Sequence, residues 1–346
     1  MRQISKIILL NMNFLREYGN QLHKNMVIYY VEDNIFYFIL LGGRVLSLKV
    51  FLELVEIKAK TASILPFLIG ICFSYYYYNS VHLGLSVVFF VAMLLFNMAV
   101  DALDNYNDYH HAVDKLEYKR KTNIIGREGL SPRLVFVILA VMTVIAAIMG
   151  LYLVYVTGLP LLWMGLFCFA VGIFYSSGPR PLSSLPLGEF FSGITMGFVI
   201  SLICVYLNSY QIFSWHWENL AKVFLISLPN ILWISNLMLA NNICDYDEDE
   251  RNNRHTIVHF IGVKNALFAF SLKNVLAFAA IILSFYLKLA PWTSLLALLA
   301  IPFVYKQDRM LMKEQVKSKT FKCAVKILAF GSFIQVLTYS IGLLFL

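Results

Sequence analysis

The chain has 346 residues, 60% of them hydrophobic and only 14% charged, with a mean hydropathy of +0.71. One soluble core of this length cannot bury so much apolar surface, so a lipid bilayer is its solvent. The formal net charge of +8 would suit a nucleic-acid binder, but the basic residues gather in alternate loops rather than in one patch, which excludes nucleic acid as a partner.

In chain order, residues 1–46 come first, an N-terminal extension whose apolar runs, such as 35–41, are short and follow Glu32 and Asp33. No signal-peptide pattern is evident there; the segment reads either as an interfacial helix or as an extension irrelevant to function. Residues 47–346 form one transmembrane domain. Within it, apolar runs at roughly 62–80, 83–104, 134–157, 159–176, 187–207, 220–241, 265–287, 291–305 and 322–345 are long enough to cross ~30 Å of hydrocarbon. The fold class is therefore all-α, a polytopic membrane bundle of about nine transmembrane helices. A transmembrane barrel would need alternating apolar and polar residues, and 134–149 shows none.

The loops carry the topology. Lys115, Lys119, Arg120, Lys121, Arg127 and Arg133 follow the second run, Arg180 the fourth, Arg251, Arg254 and Lys264 the sixth. Lys306, Arg309, Lys313, Lys317 and Lys319 follow the eighth, where they read as a solvated or headgroup-facing loop, whereas residues 208–219 contain no Lys or Arg. This positive-inside pattern predicts a multi-pass cell-membrane protein with the N-terminus and basic loops in the cytoplasm and, with an odd number of spans, the C-terminus outside. Cys72, Cys168, Cys204, Cys244 and Cys323 form no CxxC pair and read as reduced thiols, neither a disulfide framework nor a zinc site. Seven scattered histidines are too few for a membrane di-iron centre.

Two acidic, Asn-rich segments end the second and sixth runs. The first places Asp101, Asp104, Asn105, Asp108 and Asp114 within fourteen residues; the second reads Asn241-Asn242-Ile-Cys-Asp245, followed by Asp247, Glu248, Asp249 and Glu250. If the helices continue, Asp101, Asp104 and Asp108 share one face, and Asp245 and Asp249 repeat the i, i+4 spacing. Four runs separate the two segments, which suggests a weak four-helix internal repeat with the ninth helix added. Both acidic ends then face the cytoplasm and one bundle can hold them opposite each other. Carboxylates at a membrane boundary call for cations, and an all-oxygen set selects a hard ion such as Mg²⁺, held by one or two carboxylates and completed by water and phosphate. Two such pairs suit two Mg²⁺ ions that clamp a diphosphate. Asp247, Glu248 and Glu250 read as solvated. Lys121, Arg127 and Arg254 read either as diphosphate partners or as topology determinants. Tyr175 ends the fourth run on the same side.

At these residues the chain resembles the UbiA-type superfamily of intramembrane prenyltransferases, which carries an NDxxDxxxD-like motif after the second helix and a DxxxD motif after the sixth. Asn241-Asn242 through Asp245 and Asp249, with Arg254-His-Thr256 and Ile261-Gly262, is similar to the naphthoate polyprenyltransferase branch. So are Glu56-Ile-Lys58-Ala-Lys60, Arg127-Glu128-Gly129, and Tyr175 to Arg180-Pro181 continuing to Gly188-Glu189. The departures are Asp104-Asn105 where the family has Asn-Asp, a last carboxylate displaced to Asp114, and Cys244 where Arg is common.

The resemblance implies transfer of a polyprenyl group from polyprenyl diphosphate to an aromatic acceptor, most closely 1,4-dihydroxy-2-naphthoate, giving demethylmenaquinone. It implies Asp104, Asp108, Asp114, Asp245 and Asp249 as Mg²⁺ ligands, with Asp108, Asp249 and Tyr175 central to catalysis. It further implies Asn105, Lys121, Arg127, Arg180, Asn241 and Arg254 at the diphosphate or substrate. The alternatives are a transferase of the same type for 4-hydroxybenzoate or another acceptor and, from another class, a membrane transporter, which would place its acids near mid-membrane.

Overall fold

The structure is a computed structural model that describes residues 37–39, 45–111, 123–252 and 254–345. Among these, strand pairing is confined to a short antiparallel ribbon of β1 (Tyr37–Ile39) and β2 (Val45–Ser47). Ser47 then caps α1 (Leu48–Leu54), its hydroxyl accepting from the Val50 amide at 3.3 Å.

Among the described residues, eight helices are long and apolar enough to cross a membrane. In order they are α2 (Thr61–Tyr78), α3 (Leu83–His111), α5 (Pro132–Thr157), α6 (Leu159–Ser176), α7 (Gly188–Ser209), α8 (Trp217–Cys244), α10 (Ile257–Tyr286) and α12 (Lys317–Leu343). Two short helices, α4 (Ile124–Arg127) and α9 (Tyr246–Arg251), sit between them. The remaining apolar run is a two-part element rather than a single helix. A 3₁₀ stretch over Trp292–Ala300 passes into α11 (Ile301–Lys313), because Pro291 and Pro302 flank the 3₁₀ stretch and Lys306, Gln307, Asp308 and Arg309 make its second half polar.

The packing has the form of a repeat. In the first half α3 lies along α5, in the second α8 lies along α10, and the leading helices α2 and α7 pack on each other. That central contact is close: Ser201 donates to the Pro66 carbonyl at 2.9 Å, and a Cβ on Gly70 would meet Cys204 Cβ at 2.8 Å. Helix α7 meets α8 in the same way. Over Gly193–Val199 it is π-helical, and Cβ atoms on Gly193 and Gly197 would come within 2.8 Å of the Ile231 carbonyl oxygen and 2.7 Å of Ile231 Cα. Small residues let membrane helices approach to backbone contact where lipid supplies no hydrophobic drive between them. Helix α12, outside the repeat, packs on α2, α8 and the two-part element.

Buried polar groups pin the second half. Ser271 donates to the Asp308 carboxyl at 2.9 and 3.0 Å, Asn274 donates to the same carboxyl at 3.1 Å, and Asn236 donates to the Asn274 side-chain oxygen at 3.1 Å. This chain joins α8, α10 and α11 at a depth where unpaired polar groups are costly. The backbone contact at Gly197 sets the α7–α8 spacing, so Gly197→Val has to push the helices apart. Thermal unfolding of the detergent-solubilised protein is expected to show a loss of about 1–3 kcal/mol. The tolerated control is Gly150→Ala, at a position where a Cβ meets nothing within 4 Å.

Candidate active site

Helix α3 continues unbroken to His111, so Asp101, Asp104 and Asp108 share a face as expected, and all three line one cavity. Around them a small cap holds the helix end in place. Leu54, Val55, Ile124 and Ile125 pack with Ala99, Ala102 and Val135. Asn105 donates to the carbonyls of Leu54 at 3.2 Å and Asp101 at 3.1 Å, while Asn123 donates to the Asn105 carbonyl at 2.9 Å and caps α4. Asn107 reaches the end of α6, donating to the Ser176 carbonyl at 3.0 Å and the Ser177 hydroxyl at 2.9 Å. The asparagines of the first motif are therefore brackets between helices, and the amide nitrogen of Asn105 is directed at backbone rather than at a ligand.

Lys60, only 1% exposed, forms an ion pair with Asp101 and donates to Asn97 Oδ1 at 2.6 Å. The chain reaches that position by a left-handed turn at Glu56 (φ 47°, ψ 51°), which also puts Glu56 in the cavity wall. A buried lysine beside the first motif was not singled out by sequence; its signal was the Glu56–Lys60 stretch lying next to an apolar run.

The second motif is built differently. Helix α8 stops at Cys244 and Asp245 occupies the junction with α9. The i, i+4 relation nevertheless survives, because the Asp249 amide donates to the Asp245 carbonyl at 2.7 Å. The motifs correspond residue by residue: Asp101, Asp104 and Asp108 on α3 have the same spacing as Asn242, Asp245 and Asp249 at the end of α8. Asn242, the counterpart of Asp101, donates to Glu189 Oε1 at 2.7 Å from the start of α7. Asp247, Glu248 and Glu250 are exposed, as expected.

Asp245 and Asp249 line the same cavity as Asp104 and Asp108, together with Asn105, Arg127, Tyr175, Arg180, Asn241 and Arg254. Asp114 and Lys121 lie outside the described residues. Arg254 Nε lies 3.4 Å from Asp249 Oδ1 and its guanidinium donates to the Ser183 carbonyl at 3.4 Å, tying the loop after α6 to the second motif. Arg127 is held on the rim by Glu53 at 2.6 Å and Glu128 at 3.0 Å. Arg180 is exposed at the mouth, beyond the positive-φ turn of Gly178 (φ 101°). Tyr175 ends α6 with its ring in the cavity wall.

One expectation is corrected. The basic residues between the eighth and ninth apolar runs do not all face lipid headgroups or solvent: Lys317, at the start of α12, forms an ion pair with Asp245 and lines the cavity. Sequence separation hid it, since the two stand 72 positions apart.

The cavity is large, ≈ 2910 Å³, and has two characters. Its mouth is ionic; its interior runs past Phe96, Met93 and Phe89 of α3 to Leu153, Leu161 and Ile203. From Asp104 to Phe89 along α3 is about 22 Å. Phe96 and Phe169, stacked with ring centroids 4.0 Å apart, stand between the two regions, an aromatic pair that composition alone did not mark.

The donor set suits a hard divalent cation. Asp249 is 4% exposed and its Oδ2 has no hydrogen-bond partner. Burial, with Asp245 adding to it, pushes its carboxyl up to about 6 against the opposing effect of Arg254, the state of a carboxylate short of positive charge. Among the described residues no three His, Cys, Asp or Glu side chains form a closed cage. Mg²⁺ needs none, since one or two carboxylates with water and substrate phosphate satisfy it.

Comparison with known proteins agrees with this arrangement. Over 207 residues, 60% of this chain and 64% of the relative, the sequence is 30% identical to 1,4-dihydroxy-2-naphthoate octaprenyltransferase of Bacillus subtilis (strain 168). The fold is similar to that of the apo UbiA homologue from Aeropyrum pernix K1, with a TM-score of 0.64 and 20% identity over 81% of this chain and 98% of that one. A UbiA homologue from Archaeoglobus fulgidus bound to GPP and Mg²⁺ superposes with a TM-score of 0.58 and 12% identity over 85% and 99% of the two chains. Residues 63–334 match the UbiA prenyltransferase family, and since that match takes in most of the chain and both acidic motifs, the chain belongs to this family.

Proposed function

We propose that the chain transfers a polyprenyl group from polyprenyl diphosphate to 1,4-dihydroxy-2-naphthoate, with loss of the ring carboxyl group, towards demethylmenaquinone. The observation that carries this reading is the single cavity in which two carboxylate pairs, Asp104/Asp108 and Asp245/Asp249, meet an apolar interior. A diphosphate fits the ionic mouth and a polyprenyl chain fits the interior. The acceptor is supported by the naphthoate octaprenyltransferase relative, and the cation and donor class by the homologue bound to GPP and Mg²⁺.

On this reading Asp104, Asp108, Asp245 and Asp249 hold Mg²⁺, with Asp114 a further candidate ligand, and the bound ions supply neutralisation of the departing diphosphate. Arg254, with Arg127, Arg180, Lys121 and Asn241 as further candidates, pairs with diphosphate or substrate oxygens, while the Asn105 amide, donating to the Leu54 and Asp101 carbonyls, braces the helix end. Charge-assisted contacts aimed at the leaving group favour breaking of its C–O bond. Tyr175 and the stacked Phe96 and Phe169 turn aromatic faces to the allylic carbon as positive charge develops there. The ring carbon of the acceptor then forms the new C–C bond, in a cavity whose apolar walls keep water from the cation. By the positive-inside distribution, this mouth and the N-terminus face the cytoplasm.

Purified protein in detergent, given radiolabelled polyprenyl diphosphate and Mg²⁺, is expected to prenylate 1,4-dihydroxy-2-naphthoate at least about tenfold faster than 4-hydroxybenzoate. Equal or reversed rates would retire the acceptor assignment. Asp108→Asn and Asp249→Asn are each expected to lower the rate by about a hundredfold or more with unfolding temperature retained; unchanged turnover would sink the carboxylate assignment. Tyr175→Leu is expected to reduce kcat about tenfold and Tyr175→Phe much less, the magnitude and rank order of a cation–π contact, which single-turnover rates would read.

A further inference from the structure

Each acidic motif has a cation that comes from elsewhere in the bundle, and the two sources differ. Lys60, at the entry to α2, serves Asp101 of the first motif and is buried. By the repeat, the counterpart of that entry is the start of α7, but the side chain there is Glu189, which holds Asn242. Asp245, the counterpart of Asp104, takes its lysine from outside the repeat, Lys317 of α12. A lysine in the first turn of a helix is opposed by the helix dipole, so what holds it there lies in front of it, and in front of it are Asp245 and the cavity.

Lys317 differs from Lys60 in its freedom. Its side chain is 52% exposed, it lines the cavity mouth, and its charge also acts on Asp249 and Glu56. Below it, Phe321, Val325 and Leu328 continue the same face of α12 into the cavity wall, which fixes the helix while leaving its first residue at the ionic mouth. The unpartnered, buried Oδ2 of Asp249 lines the same mouth.

Resting on the function proposed above, we propose that Lys317 is an exchange residue. Asp245 offers its oxygen either to the ammonium of Lys317 or to a divalent cation. When Asp245 turns to the cation, Lys317 turns to the oxygens of the donor's diphosphate. It thus competes with the cation in the empty site and assists the diphosphate in the loaded one, coupling the two binding events.

Binding measured on the full chain in detergent tests this without turnover, with Mn²⁺ alone as the metal probe followed by electron paramagnetic resonance, and inorganic pyrophosphate titrated into the Mn²⁺-loaded protein. Lys317→Gln is expected to bind Mn²⁺ alone about threefold to tenfold tighter and pyrophosphate about tenfold weaker, the scale of one charge-assisted contact. Lys317→Arg is expected to restore pyrophosphate affinity, and Lys319→Gln, two residues away and paired with Glu314, to change neither. Lys317→Gln that shifts neither constant, or weakens both together, overturns the exchange role. Wild-type protein that binds neither Mn²⁺ nor pyrophosphate overturns the functional reading along with it.

Discussion

The structure depends on one electrostatic constraint: carboxylates at the ends of membrane helices must be given positive charge or they will not stay ionised there. The chain meets it with cations, two of them drawn from distant segments. Lys60 comes from the entry of α2 to Asp101, Arg254 from the loop after α9 to Asp249, and Lys317 from α12 to Asp245. Each pairing fixes a helix end as well as a charge. Burial raises the Asp249 carboxyl to about 6 against the opposing effect of Arg254.

Helix packing serves the same end. Close contact of α2 with α7 through Gly70, and of α7 with α8 through Gly193 and Gly197, brings the two halves together at their centre, so that the ends of α3 and α8 line one cavity from two directions. The polar chain from Asn236 through Asn274 to Asp308 locks the second half without contributing to that cavity. Rigid halves around a shared opening suit chemistry that needs two charged groups held at a fixed separation, since a site assembled on helices loses less to motion than one assembled on loops.

Much of this was legible in the sequence because the bilayer simplifies the reading. Eight of nine apolar runs are single helices, since in hydrocarbon a spanning backbone must satisfy its own hydrogen bonds. The remaining run, the eighth in chain order, is divided by proline and a polar second half, a local feature that hydropathy averages away. The carboxylates were legible because acids are rare and costly at such places, and helical spacing put Asp104 with Asp108 on one face. What could not be read was pairing across distance. Nothing local distinguishes Lys317 from Lys319, yet one lines the cavity and the other pairs with Glu314. Asn105 carries a motif signature but donates to backbone carbonyls, because an amide at a helix end can serve a ligand or a neighbouring chain and the sequence is the same for both.

Asp101 and Asn242 occupy equivalent places, and their partners, Lys60 and Glu189, have opposite charge. In the first half the pair is ionic and buried, and it is complete within four helices. In the second, exchanging lysine for glutamate and aspartate for asparagine keeps the link between leading helix and motif but removes its positive charge. Asp245, the counterpart of Asp104, draws its cation from the helix added beyond the repeat. The symmetry of the backbone is thus broken in the charges, leaving the first motif with a buried lysine and the second with Arg254 and a half-exposed lysine that lines the mouth of the cavity.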